Sequence, residues 1–216
     1  EWPIARTQYT RLYLDAASKS MQTEKVEKVS SVSYDPIVEE LGEADRATFE
    51  ITFDKSTELT GYMKLRVFMS CDATDDMDVF VGLHKLDKDG NFVPFAYYAQ
   101  FDDGPVALGW LRASHRELDP VKSTEWQPVH PHTRAQKIKP GEIVPLDIEI
   151  WPSGTSFAAG EKLRLIVQGD DLNRYSTKIA PVYFRHKQSS VNKGRHVIHT
   201  GGEYESYLLV PVIPEK

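Results

Sequence analysis

The residues of this sequence best placed to do chemistry are a Ser-His step, two closely spaced histidines and a run of aspartates. Ser114-His115, within Ala113-Ser114-His115-Arg116, sets a hydroxyl beside an imidazole, the pairing used in nucleophilic hydrolysis. Adjacent residues of a strand point to opposite faces, so this spacing disfavours a Ser–His dyad. Hydrolysis on an α/β scaffold would also need a G-x-S-x-G elbow to raise the serine hydroxyl above the sheet. No such pentapeptide occurs; Pro152-Ser153-Gly154-Thr155-Ser156 comes nearest, lacks the flanking glycines and reads as a turn before Phe157. No catalytic residue is assigned.

His130-Pro131-His132 puts two imidazoles two residues apart, but no third ligand is indicated, and Pro128 and Pro131 mark a loop. Asp72, Asp75, Asp76 and Asp78 form a denser acidic group, a candidate for calcium. An EF-hand is excluded, because its sixth-position Gly and twelfth-position Glu are missing. The favoured reading is a polar turn feeding a strand, with carboxylates accepting backbone hydrogen bonds. No metal site is assigned. Phosphate-cradling glycine motifs are absent too, and no cofactor is expected. Tyr97, Tyr98 and Trp110 could form an aromatic platform for a sugar or serve as packing.

The elements that must position these groups are strands. Phe49, Ile51 and Phe53 share one face of an alternating run, as do Met63, Leu65, Val67 and Met69, and Val79, Val81 and Leu83. The pattern returns in 144–150 and in Leu163, Leu165 and Val167; β-branched and aromatic residues mark 196–199 and 207–212, and Thr10 to Asp15 opens the series. Turn signals lie between runs at Asp89-Gly90, Pro140-Gly141, Ser153-Gly154, Asn192-Lys193-Gly194 and Gly201-Gly202. Roughly nine to eleven strands result. Helical turns are expected only at Ile37–Leu41 and around 176–188, and 119–140 reads as a long surface loop. An all-β domain of two packed antiparallel sheets follows, a jelly roll or similar sandwich.

Hydrophobic residues make up 40% and charged residues 27% of the 216, enough to bury a single large core. Cys71 is the only cysteine, so neither an intrachain disulfide nor a thiolate cluster can form. No apolar run is long enough to span a bilayer; a soluble domain is expected, with the cytoplasm favoured. The net charge of −6 divides unevenly: residues 1–171 hold 29 acids and 19 bases, whereas 172–202 hold six bases and no acid. An acidic domain argues against a nucleic-acid partner, and the basic stretch reads as a solvated loop. Glu1-Trp2-Pro3-Ile4 has neither an initiator Met nor a signal-peptide pattern, so the expectation is a chain that begins mid-protein.

Several segments together resemble the C-terminal domain of the X-prolyl dipeptidyl-peptidase and cocaine-esterase family of serine hydrolases. They are Glu1-Trp2-Pro3 with Thr10–Leu14, Ser33-Tyr34-Asp35-Pro36, Leu59-Thr60-Gly61 leading to Phe68, Asp76–Val79, and Pro140-Gly141-Glu142. The most specific is Gly109-Trp110-Leu111-Arg112-Ala113-Ser114-His115-Arg116, similar to a G-x-L-R-A-S-H-R signature of one branch and followed by a loop through Pro128 to His132. Arg195–Gly202 and Tyr207–Pro214 resemble the closing strands. One departure is that Ile37-Val38-Glu39-Glu40-Leu41 stands where many members carry Pro-Thr-x-Gly-Gly.

The resemblance implies a galactose-binding-like jelly roll over residues 1–216, a single non-catalytic domain whose triad lies in a preceding α/β-hydrolase domain. That catalytic domain is the implied partner, with a homo-oligomer as a further possibility. The parent would cleave acyl esters, β-lactam side-chain amides or N-terminal X-Pro dipeptides. A docking face is expected at Trp110, Tyr97 and Tyr98, with Arg112, His115 and Arg116 as polar anchors. Alternatively Arg112 and Arg116 pair with Asp76 or Asp78. The alternative function is a free-standing carbohydrate-binding module, with or without calcium.

Overall fold

The run that carries Met63, Leu65, Val67 and Met69 on one face becomes Thr57–Cys71, a 15-residue strand and the longest in the computed structural model of the chain. The structure describes residues 3–37, 44–97, 101–173 and 189–214. In chain order its strands are β1 (Gln8–Asp15), β2 (Ser20–Gln22), β3 (Ser30–Tyr34), β4 (Arg46–Thr52), β5 (Thr57–Cys71), β6 (Asp78–Leu86), β7 (Phe92–Val93), β8 (Phe95–Tyr97), β9 (Phe101–Gly104), β10 (Ala107–Arg112), β11 (Val144–Phe157), β12 (Lys162–Gln168), β13 (His196–Thr200) and β14 (Tyr207–Ile213). A single 3-10 turn, Ala113–His115, follows β10.

These strands form two sheets, one of twelve strands in the order β10-β6-β12-β4-β2-β1-β14-β5-β13-β3, the other the β8-β9 hairpin. Within the larger sheet β7 pairs with β6, and β11 pairs with β5. β5 is the shared spine. β11 runs antiparallel along one edge, from Thr57↔Phe157 to Met69↔Val144. The other edge takes β14 over Glu58–Arg66 and then β13 over Phe68–Cys71. The expected all-β, two-sheet architecture is present.

Alternation explains the core. Phe49, Val79, Val81, Leu83, Leu163, Leu165 and Val167 are all buried, together with Leu65, Val67, Leu146, Ile148 and Ile150 of the spine pair. Each such side chain contributes about 1.5–3 kcal/mol when removed from water. In β12 and β6 the alternation is broken by Ile166 and Gly82, because a second layer covers that face: a Cβ on Gly82 would meet the Leu172 side chain at 2.3 Å.

Three readings need correction. Ser153-Gly154 is not a turn between strands; it lies inside β11, where the register with β5 shifts between Ile150 and Ser153. A β-bulge adds a residue to one strand and bends it without ending the ladder. Ser114-His115 is not on a strand but in the 3-10 turn. The strand number is fourteen among the described residues, because short pieces such as β2, β7 and β8 carry too few residues to show a period. The helical turns expected at Ile37–Leu41 and 176–188 are not among them, since they fall almost wholly outside the described residues. Gly90 (φ 87°) and Gly141 (φ 80°) do turn the chain where Asp89-Gly90 and Pro140-Gly141 signalled it.

His196 of β13 sits wholly inside, opposite Tyr34 of β3. Its Nδ1 lies 3.2 Å from the Tyr34 hydroxyl, and its Nε2 has no hydrogen-bond partner among the described residues. Burial therefore penalises the imidazolium and pushes the ring down to about 4, against a pull upward from Asp78, Asp35 and Asp72. The unfolded chain takes this proton near the ordinary histidine value of about 6.5, so between there and 4 the unfolded state binds more protons. Stability is expected to fall as pH drops through that window, by up to about 1.4 kcal/mol per pH unit from this group. Urea unfolding at pH 7 and pH 5 checks it, and His196→Gln should flatten the slope.

Candidate functional site

The inward side of β10, Ala107, Gly109 and Leu111, is buried, and it rests on β11. No ladder joins these two strands among the described pairings. They still approach closely, since a Cβ on Gly109 would lie 2.1 Å from the Glu149 carbonyl oxygen. Only glycine allows that approach. On the outward side, Trp110 and Trp151 meet edge to face at 5.2 Å and 66°, and each is about half exposed, at 53% and 52%.

Next to this contact opens a cleft of about 540 Å³, lined by Trp110, Arg112, His115, His130, His132 and Trp151 among others. Arg112 grips Asp78 with both ends of its guanidinium, Nε to Oδ1 at 2.7 Å and Nη2 to Oδ2 at 2.8 Å. The Ser189 hydroxyl also donates to Asp78, at 2.6 Å. The ion pair expected for Arg112 is thus present, with Asp78 as its partner.

Three histidines bring the far wall together. His130 Nδ1 faces the Glu117 carbonyl at 3.0 Å and its Nε2 the Asp147 carbonyl at 2.9 Å, pinning the loop to β11. His132 Nδ1 lies 3.1 Å from His115 Nδ1. Burial and the neighbouring His115 and His130 rings hold His132 below the ordinary histidine range. The stretch 119–140 is an irregular loop, as expected, and it is strapped across the sheet. The Trp126 ring stacks on Tyr9 at 4.9 Å, and Gln127 donates to Glu149 at 3.1 Å. Under the strap, Asp147 holds Arg66 at 2.7 Å and Lys64 at 3.3 Å.

The remaining polar candidates serve the chain itself. Asp76 is buried and accepts from the backbone N–H groups of Met77 (3.0 Å) and Ser114 (2.9 Å) and from Lys137 (3.1 Å). Burial pushes its carboxyl pKa up, but bonds from Ser114 and Lys137 outweigh that and hold it below the ordinary aspartate value. Asp75 pairs with Lys137 at 3.2 Å, and Asp72 accepts from the Arg195 N–H at 2.8 Å. Among the described residues no three His, Cys, Asp or Glu side chains gather as they would around a metal ion. Arg116 turns to the carbonyls of Ala113 (3.1 Å) and Gln136, and among the described residues it pairs with no carboxylate. Tyr97 sits on β8, away from the cleft lining, and Tyr98 lies outside the described residues, as do Arg174, Lys178, Arg185, His186 and Lys187. Trp151 was not singled out from the sequence. Its signal was there, because alternation in Ile148-Glu149-Ile150-Trp151 places it on the outer face beside Glu149.

An all-β domain whose acids and arginines hold its own loops, and whose exposed aromatics rim a cleft, is a packing or recognition module in class. A family model, the X-Pro dipeptidyl-peptidase C-terminal non-catalytic domain, matches residues 1–209, and the chain belongs to that family. Among solved structures it is similar to a CocE/NonD family hydrolase from Staphylococcus aureus, seen in two crystal structures. The two are 40% identical to this chain with TM-scores of 0.91 and 0.90, covering 99% of this chain and 38% of that one. An aminopeptidase from a marine sediment Thaumarchaeota archaeon (13% identity, TM-score 0.65, 99% of this chain and 38% of that one) shares the fold. So does an α-amino acid ester hydrolase (13%, 0.61, 94% and 36%). No curated protein matches in sequence. The chain spans under two-fifths of the length of the hydrolases it matches.

The close approach at Gly109 yields a direct test. Gly109→Ala is expected to force β10 off β11 and to destabilise the chain by about 1–3 kcal/mol. Chemical denaturation measures the loss, and intrinsic tryptophan fluorescence should report the separation of Trp110 from Trp151.

Proposed function

We propose that residues 1–216 form one galactose-binding-like jelly roll that packs, as a C-terminal domain, on the α/β-hydrolase domain of an acyl-ester or X-Pro-dipeptide serine hydrolase. The observation that carries this reading is the Trp110–Trp151 pair. Two large aromatics, each about half exposed, stand together beside a polar cleft. Paired aromatics in such a setting are the usual anchors of a protein interface. The 38% coverage of the Staphylococcus aureus hydrolase supplies a candidate occupant, the remainder of a longer chain. Arg112, already paired with Asp78, and His115 line the same cleft. The two indole planes are close to perpendicular, which suits insertion between partner side chains better than a flat sugar platform.

In this role the domain buttresses a catalytic domain and supports its active site, and it performs no bond-breaking step. Replacing Trp110 and Trp151 together by Ala in the full-length enzyme is expected to weaken domain association by about 2 kcal/mol or more. Calorimetry of the full-length enzyme should then show two thermal transitions in place of one. The same substitutions in this chain alone should cost under about 1 kcal/mol, since both side chains already meet solvent. A single unchanged transition in the doubly substituted enzyme would contradict the proposed docking face.

A further inference from the structure

The cleft contains a contact that packing does not require. His115 and His132 come from different segments, a 3-10 turn and a loop, yet their Nδ1 atoms meet at 3.1 Å. Both arms are fixed from behind. Arg116 bonds the carbonyls of Ala113 and Gln136, and the Gln136 N–H donates to the Ser114 carbonyl at 2.7 Å, lacing the turn to the loop. His130 pins the same loop through its two ring nitrogens, which leaves neither free to ligate. His132 itself has φ 52°, one of only two non-glycine residues with positive φ among those described. A side-chain-bearing residue held there costs energy that the surroundings must offset, and such positions gather at binding sites.

We propose that His115 and His132 form a two-histidine clamp for a divalent transition-metal ion, Cu²⁺, Ni²⁺ or Zn²⁺, with water completing the coordination. At a metal–nitrogen distance of about 2.0–2.1 Å, two ligating nitrogens stand about 2.9 Å apart at a right angle and about 3.3 Å apart at the tetrahedral angle. The observed 3.1 Å falls between these values. Without metal, one Nδ1–H donates to the other ring's lone pair. With metal, that proton moves to Nε2 of its own ring and the two rings turn so that both Nδ1 lone pairs converge on the ion, and no proton need be released from two neutral imidazoles. The open cleft leaves room for the waters. Imidazole nitrogens select these ions over Mg²⁺ and Ca²⁺, with Cu²⁺ held most tightly.

The sequence offered His130 and His132 as the pair; the geometry replaces His130 with His115. The test is isothermal titration of the chain with CuCl₂, NiCl₂ and ZnCl₂, with CaCl₂ as control, on the wild type and on His115→Gln, His132→Gln and His199→Gln. One ion per chain is expected to bind, weakened about tenfold or more by either of the first two substitutions and unchanged by the third. Electron paramagnetic resonance of the Cu²⁺ complex of the unsubstituted chain should show two coordinated imidazole nitrogens, a readout that does not depend on any variant folding. No saturable binding, binding that survives both substitutions, or a copper signal with one or no imidazole would overturn the clamp.

Discussion

The approach of β10 to the backbone of β11 is the contact on which the rest of the site depends. Among the described residues those two strands share no ladder, so no run of backbone hydrogen bonds holds them together. Contact is made by shape alone: Gly109 removes the side chain that would strike the Glu149 carbonyl, and Ala107 and Leu111 close the core on either side. Because β10 lies flat on β11 there, Trp110 and Trp151 are thrown outward and onto one another. The 3-10 turn that follows β10 then delivers His115 to the cleft, and the loop pinned to β11 delivers His130 and His132. A small residue at one strand position thus sets the geometry of the whole face.

Polar chemistry inside the domain is directed at its own backbone. Asp76 gives its oxygens to two N–H groups and a lysine, Arg116 gives its guanidinium to two carbonyls, and Asn192 donates to the Gly169 carbonyl at 2.8 Å. Buried polar groups must be satisfied or they cost more than they contribute, and irregular loops over a sheet depend on such bonds for position. Ser114 illustrates the consequence. The hydroxyl that stood beside an imidazole in the sequence is buried in a turn whose N–H is held by Asp76, while His115 faces the cleft and His132. The membership of a non-catalytic domain family agrees with that distribution.

Much of the fold was legible because period-two alternation survives wherever a strand has one buried face. Phe49 in β4, Leu163 and Leu165 in β12, and Val79 and Val81 in β6 all point inward as their spacing implied. Legibility failed where the local signal was shared by two structures. Ser153-Gly154 has turn composition, yet a bulge needs the same flexibility within a continuing strand. It failed again for the cleft, which is made by contacts distant in sequence. Arg112 with Asp78 could be anticipated from charge, whereas His115 with His132 could not, since their meeting depends on how the loop crosses the sheet.

Trp110 and Trp151 stand half exposed together at one cleft, and the proposed function makes this the face where the domain would meet a catalytic partner. Hydrogen exchange followed by mass spectrometry, on the full-length enzyme and on this chain alone, tests that claim most directly. Slower exchange in the full-length enzyme at Gly109–Arg116 and Glu149–Trp151, with β13 and β3 unchanged, is the result expected. Equal exchange of those segments in the two samples would contradict it.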